Sequence, residues 1–136
     1  LISISSLLNS LLPESQPNVE IYKSLENFLD NLLNDNWIIL FIFFELNLIR
    51  NLGYDTNLKI YKEKIDTQNK SIKVKIDDIQ YDVPNYLVEA DLSKEISKEL
   101  ILKSLTFTRK VLLNKFFLPN NLIFPKSRVI LENYYT

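Results

Sequence analysis

The residues best suited to chemistry in this sequence are basic and apolar side chains repeated at helical spacing near its C-terminal end. Lys103, Phe107 and Lys110 would share one face of a helix. An adjacent face of the same helix would carry two basic and two apolar residues: Lys98, Leu102, Leu105 and Arg109. Either stripe can form an apolar pocket with a basic lip, which suits an acidic peptide. The alternative is that these lysines are only the solvated face of the helix.

Arginine is the side chain best able to hold a carboxylate of such a peptide, because its guanidinium donates two parallel hydrogen bonds. Arg109 is the first candidate, and Arg50 and Arg128 are the other arginines of the chain. The charge is also uneven, since residues 91–136 hold eight Lys or Arg against four acids, whereas residues 1–90 hold eight against thirteen. A basic C-terminal part suits contact with an acidic peptide or with nucleic acid phosphate.

Most catalytic chemistry is excluded by residue types that the chain lacks. It contains no cysteine and no histidine, so thiolate or imidazole zinc sites and histidine-activated nucleophiles cannot form. Gly53 is the only glycine, whereas P-loop and Rossmann phosphate loops need several. We therefore predict no catalytic residue, no cofactor and no metal. A hydrolase that uses Asp and Glu with a divalent ion is the weakest alternative, because no spacing of acids proposes it.

Three further positions have competing interpretations. Trp37 could stack on a base, but a lone Trp at the start of an apolar helix favours the core. Glu45 lies inside that helix, and we expect it to be buried and paired, with an arginine or a backbone donor, rather than catalytic. Tyr134 and Tyr135 can equally contact DNA or complete the core.

Hydrophobic periodicity predicts five helices. The first covers residues 2–12, the second begins at Val19 with Asn18 as its cap, and the third runs from Trp37 to Leu52 and is ended by Gly53. A long fourth helix is expected from about Lys94 to about Phe117, capped by Asp91 or Ser93. A last helix should start near Pro125 and pack four residues against the core: Val129, Ile130, Leu131 and Tyr134. No apolar run is long enough to cross a bilayer.

A small β-hairpin is predicted between Leu58 and Ile76, where apolar and polar residues alternate, with a turn at Asp66 to Lys70. Its lysines at 59, 62, 64, 70, 73 and 75 fit solvated edge strands. The predicted fold class is mainly α, a helical bundle with an inserted small β-hairpin, and residues 1–136 are expected to form one domain.

Several short motifs follow one another along the chain: Leu11-Leu12-Pro13-Glu14, the helix Ile21 to Leu33, Asn36-Trp37, Phe44-Glu45-Leu46, Leu52-Gly53-Tyr54 and Phe124-Pro125-Lys126-Ser127-Arg128. In this order they resemble the C-terminal domain of the RecO family of bacterial DNA repair proteins. Some RecO proteins carry a four-cysteine zinc site in the stretch between Gly53 and Pro84, and this chain has no ligands for it.

The resemblance implies a recombination mediator of the RecF pathway that acts without covalent chemistry. Such a protein works with RecR and RecF, binds the acidic C-terminal tail of single-stranded DNA-binding protein, anneals complementary strands and helps load RecA. It implies a cytoplasmic, nucleoid-associated location and no membrane partner. In the family an N-terminal OB-fold, absent from this sequence, is expected to make most of the DNA contact. The chain starts at Leu1 and contains no methionine, so we expect it to be part of a longer protein.

A different class remains open as the alternative. The chain would then be a helical protein–protein interaction scaffold unrelated to recombination, whose apolar helices imitate the family pattern. A binding assay distinguishes the two hypotheses, because only the RecO hypothesis predicts binding to single-stranded DNA-binding protein.

Overall fold

The computed structural model describes residues 2–12, 19–31, 36–93 and 95–136, and within them the fold is mainly helical with one hairpin, as predicted. The elements in chain order are α1 (Ile2–Leu11), α2 (Val19–Asp30), α3 (Trp37–Asn51), a 3-10 helix (Leu58–Lys64), β1 (Ser71–Ile76), β2 (Ile79–Pro84), α4 (Asn85–Glu89), α5 (Lys98–Leu112), a π-helical turn (Leu113–Phe117) and α6 (Lys126–Tyr134). None of the described helices is long and apolar enough to cross a lipid bilayer.

Helix α3 is the centre of the core because it is apolar on nearly its whole circumference. It packs against α2 and α5, and the ring of Phe28 from α2 lies 6.1 Å from those of Phe41 and Phe44. Trp37 packs against this core, as predicted. The helix ends where Gly53 adopts a φ of 100°, a left-handed conformation that glycine reaches without steric cost.

The hairpin exists, but it lies further along the chain than predicted, because only its first strand falls within residues 58–76. Strand β1 pairs antiparallel with β2, and Ile76 faces Ile79 across a turn formed by Asp77 and Asp78. Both aspartates have positive φ, 51° and 67°, as a tight two-residue hairpin turn requires. Aspartate tolerates this conformation without being a strong sequence signal for it. The segment Leu58–Lys64, predicted as a strand, is instead the 3-10 helix.

Helix α5 begins later than predicted. Its cap is Ser97, whose hydroxyl accepts a hydrogen bond from the backbone N–H of Leu100 at 3.3 Å. Asp91 instead accepts hydrogen bonds from the backbone N–H and the hydroxyl of Ser93. Lys94, the predicted first residue, lies outside the described residues, as does the predicted cap Asn18. The predicted end near Phe117 corresponds to the π-helical turn.

The last helix starts after Pro125, as predicted, but buries a different face. Val129, Ile130 and Tyr134 are exposed, and Leu131 is only partly buried. The fully buried side chain of α6 is Arg128. Helix α6 also packs against α1, so the two ends of the described chain meet in the fold.

Candidate peptide-binding groove

A shallow groove of about 250 Å³ lies between α5 and the hairpin. Because β2 follows a tight turn and packs on α5, one face of α5 is placed beside side chains of β2. The groove is lined by both elements: Tyr81, Asp82, Leu102, Lys103, Thr106, Phe107 and Lys110. The structure therefore brings together all three members of the first stripe, Lys103, Phe107 and Lys110.

The apolar side of the groove is held in place by an aromatic pair. The rings of Tyr81 and Phe107 meet edge to face, with centroids 5.4 Å apart and planes at 81°. Both side chains are buried, so they form a rigid floor. Phe107, a candidate partner-binding residue in the sequence, is thus part of the buried floor of the groove.

The two lysines of the groove differ in the ion pairs that they form within the chain. The Lys103 ammonium lies 3.4 Å from Oδ2 of Asp82, 3.3 Å from the hydroxyl of Ser71 and 4.0 Å from Oε1 of Glu99. Lys110 is exposed and forms no ion pair within the described part of the chain. Lys110 is therefore the more available of the two cations for a carboxylate of a ligand.

Among the residues that the structure describes, Asp82 is the only acid that lines this groove. Partial burial raises the pKa of Asp82, but a hydrogen bond donated by Ser71 and the charges of Lys103 and Lys73 outweigh this effect, so the pKa lies below its usual value. Its Oδ2 lies 3.5 Å from the Lys73 ammonium on β1. A carboxylate that is ionised at neutral pH therefore stands beside Lys103.

A second, more polar cavity of about 750 Å³ continues from the groove and shares Lys103 and Asp82 with it. Three further lysines line it: Lys64, Lys70 and Lys73. All three are exposed, in agreement with the solvated role predicted for them, although the first two lie outside the strands.

The two basic residues of the second stripe of α5 do not line the groove, although Leu102 of that stripe does. Arg109 donates from Nε to both carboxylate oxygens of Glu132 on α6, at 2.9 and 3.1 Å. Lys98 is exposed at the first position of α5. Arg50 is exposed on α3 and donates to the side chain of Asn47 at 3.0 Å. None of these three is among the lining residues of the groove.

Arg128 is a structural residue, and the prediction that it contacts a partner is wrong. Its side chain is fully buried and forms an ion pair with Glu45, which is fully buried as well. Burial lowers the pKa of Arg128, but the charge of Glu45 outweighs this effect and raises it, so the guanidinium stays charged. The expectation that Glu45 is buried and paired with an arginine is confirmed.

Three residues of the groove, Tyr81, Asp82 and Thr106, were not predicted from the sequence. For the two on β2, a signal was present. The signal that could have found them is the alternation of Tyr81 and Val83 with polar residues directly after two aspartates. No group of three or more acidic side chains close enough to hold a metal ion occurs among the described residues. What the groove can do chemically is to hold an acidic, partly apolar ligand.

The comparisons with known proteins give one positive result. Residues 1–59 match the family model described as Recombination protein O C terminal. The matched stretch contains α1, α2 and α3, whereas α5 and the groove lie outside it. No curated protein and no solved structure matches the chain significantly.

Proposed function

We propose, from the premise that residues 1–59 carry a RecO C-terminal domain sequence, that this chain is part of a recombination mediator in DNA repair. The family supports a role in recombination through association with other proteins of the repair machinery. The chain acts by binding and not by catalysis. Its partners in this proposal are single-stranded DNA-binding protein and RecR, and its outcome is strand annealing and RecA loading in the bacterial cytoplasm, at the nucleoid. In this proposal, DNA contact comes mainly from the N-terminal OB-fold domain of the family.

The acidic C-terminal tail of single-stranded DNA-binding protein is the partner that the groove fits best. The single observation that carries this assignment is that Lys103 and Lys110 line the same groove as the buried aromatic pair of Tyr81 and Phe107. Such a tail supplies carboxylates for the lysines and a terminal aromatic ring for the apolar floor. Lys98 and Arg109, on the second stripe, are the alternative site for the same tail, and exposed Arg50 is a third.

The test is binding of a fluorescent peptide with the acidic tail sequence, measured by anisotropy at low ionic strength. We expect micromolar affinity, and Lys110→Gln should weaken binding roughly fivefold, about 1 kcal/mol. Lys103→Gln should weaken it less, because Lys103 already has an internal counter-ion. Lys126→Gln on α6 is the matched control, since it removes one exposed charge outside the groove.

The outcomes separate the hypotheses. Weakening by Arg109→Ala or Lys98→Gln, without an effect of Lys110→Gln, would move the site to the second stripe. Equal weakening by Lys110→Gln and Lys126→Gln would mean a diffuse charge effect and no groove. No binding by the unaltered chain would favour the interaction scaffold unrelated to recombination.

A further inference from the structure

Asp82 occupies a position in the groove where an acidic ligand would place one of its own carboxylates. Its Oδ2 lies 3.4 Å from the ammonium of Lys103 and 3.5 Å from that of Lys73. The side chain of Asp82 is 31% exposed, so its negative charge acts on a ligand in the groove as well as on the two lysines.

The donors of Lys103 are already directed at groups of the chain itself. An ammonium has few donors and no acceptor, and that of Lys103 faces Asp82, the hydroxyl of Ser71 and Glu99. A ligand carboxylate can reach Lys103 only by displacing Asp82 or by standing next to it. A ligand carboxylate next to Asp82 is repelled by its charge, and this repulsion is larger beside a partly apolar wall than in water.

Lys110 has no such neighbour among the described residues, although it lines the same groove. The groove therefore has one open and one occupied cationic position, separated by the length of about two helical turns. A ligand with an acid at the Lys110 end and an uncharged group at the Lys103 end meets no repulsion.

We propose that Asp82 is a specificity-determining residue that acts as an internal competitor, so that the groove accepts a ligand carboxylate at Lys110 and disfavours one at Lys103. This inference rests on the proposed function, because it concerns an acidic ligand in that groove. It goes beyond the function by assigning unequal roles to the two lysines and an inhibitory role to an acid.

The test compares Asp82→Asn with Asp78→Asn, using the acidic peptide and the assay described above. Asparagine keeps the shape of the side chain and removes its charge. Asp78 lies four residues away in the same hairpin, is fully exposed and is outside the groove, so its substitution makes the same change in net charge. Asp82→Asn should tighten peptide binding at least about fivefold, whereas Asp78→Asn should change it less than about twofold.

A second measurement does not depend on the peptide. Labelling of lysines by a sulfonated, and therefore anionic, succinimidyl ester is followed residue by residue with mass spectrometry. In Asp82→Asn the labelling rate of Lys103 should rise relative to that of Lys110, and in Asp78→Asn the ratio should stay unchanged. The double variant Asp82→Asn/Lys103→Gln should lose the gain in peptide affinity.

Each outcome decides a different point. If the unaltered chain binds the peptide and Asp82→Asn binds equally or more weakly, the inference is overturned while the proposed function stands. If neither chain binds the peptide, the proposed function fails. The labelling ratio then decides the inference alone, because an unchanged ratio would overturn it and a raised ratio would support it.

Discussion

Nε of Arg128 lies 2.6 Å from Oε2 of Glu45, and Nη2 of Arg128 lies 2.9 Å from Oε1, with both side chains fully buried. Arg128 also donates to the carbonyl of Leu105 and to the hydroxyl of Thr108, and Thr108 donates to Glu45 at 2.7 Å. The pair joins α3, inside the stretch that matches the RecO C-terminal model, to α6, outside it. Residues 1–59 therefore depend on the rest of the chain to neutralise a buried charge.

Arg128→Met should destabilise the fold strongly. The substitution leaves the Glu45 carboxylate buried without its counter-ion, and breaking a buried pair in this way costs about 3–5 kcal/mol. The free energy of unfolding from urea denaturation measures the loss. Arg50→Met is the control, because Arg50 is exposed and its substitution should cost less than about 0.5 kcal/mol.

The double variant Glu45→Met/Arg128→Met separates the charge from the shape of the pair. With both charges removed, no ion remains unpaired in the core, so much of the stability lost in Arg128→Met should return. A double variant as unstable as Arg128→Met would show that packing, not the unpaired carboxylate, causes the loss.

Arg109→Ala should lower stability and leave peptide binding nearly unchanged. Arg109 is engaged by Glu132 in a pair that is only partly exposed, so its removal should cost about 1 kcal/mol. Affinity for the acidic peptide should change less than about twofold, since Arg109 does not line the groove. Both quantities can be measured on one preparation, and a large loss of affinity with unchanged stability would contradict the assignment.

Asp77 should contribute stability that disappears in acid. The hydrogen bond from Lys115, at 2.5 Å, is the main cause that lowers the pKa of Asp77, and the hydrogen bond from Tyr54 adds to it. Because the pKa of Asp77 is lower in the folded than in the unfolded chain, its contribution to the free energy of unfolding is present above the unfolded pKa of about 3.9. This contribution is lost as pH falls through the folded pKa. The difference in unfolding free energy between the unaltered chain and Asp77→Asn should therefore be larger at pH 7 than at pH 3. Asp78→Asn, next in the same turn, is the control that makes the same change in net charge.

Tyr86 should make the fold sensitive to alkali. Burial raises the pKa of Tyr86 to about 12, although its hydrogen bond with Ser104 acts in the opposite direction. Because the pKa of Tyr86 is higher in the folded than in the unfolded chain, its contribution to the free energy of unfolding is fully present below the unfolded pKa of about 10. This contribution is lost as pH rises through about 12. Unfolding free energies of Tyr86→Phe should fall less between pH 9 and about 12 than those of the unaltered chain. Parallel pH profiles would contradict this role.

Local patterns of the sequence determined much of this protein. The helical class, the end of α3 at Gly53, the core position of Trp37 and the pairing of Glu45 follow from periodicity, glycine geometry and the cost of burying a charge. The stripe of Lys103, Phe107 and Lys110 also follows from helical spacing, because spacing fixes which residues share a face.

Only the tertiary structure decided which charges have partners and which strands pair. Glu45 and Arg128 lie 83 residues apart, and no local rule shows that Arg128 is the arginine that enters the core. Similarly, Asp77 and Asp78 form the hairpin turn because β2 buries Tyr81 and Val83 against the rest of the fold. Periodicity shows which face of an element is apolar, but contacts between distant elements depend on how those faces pack. That packing gave Lys103 and Arg109 their ion pairs, whereas Lys110 has none among the described residues.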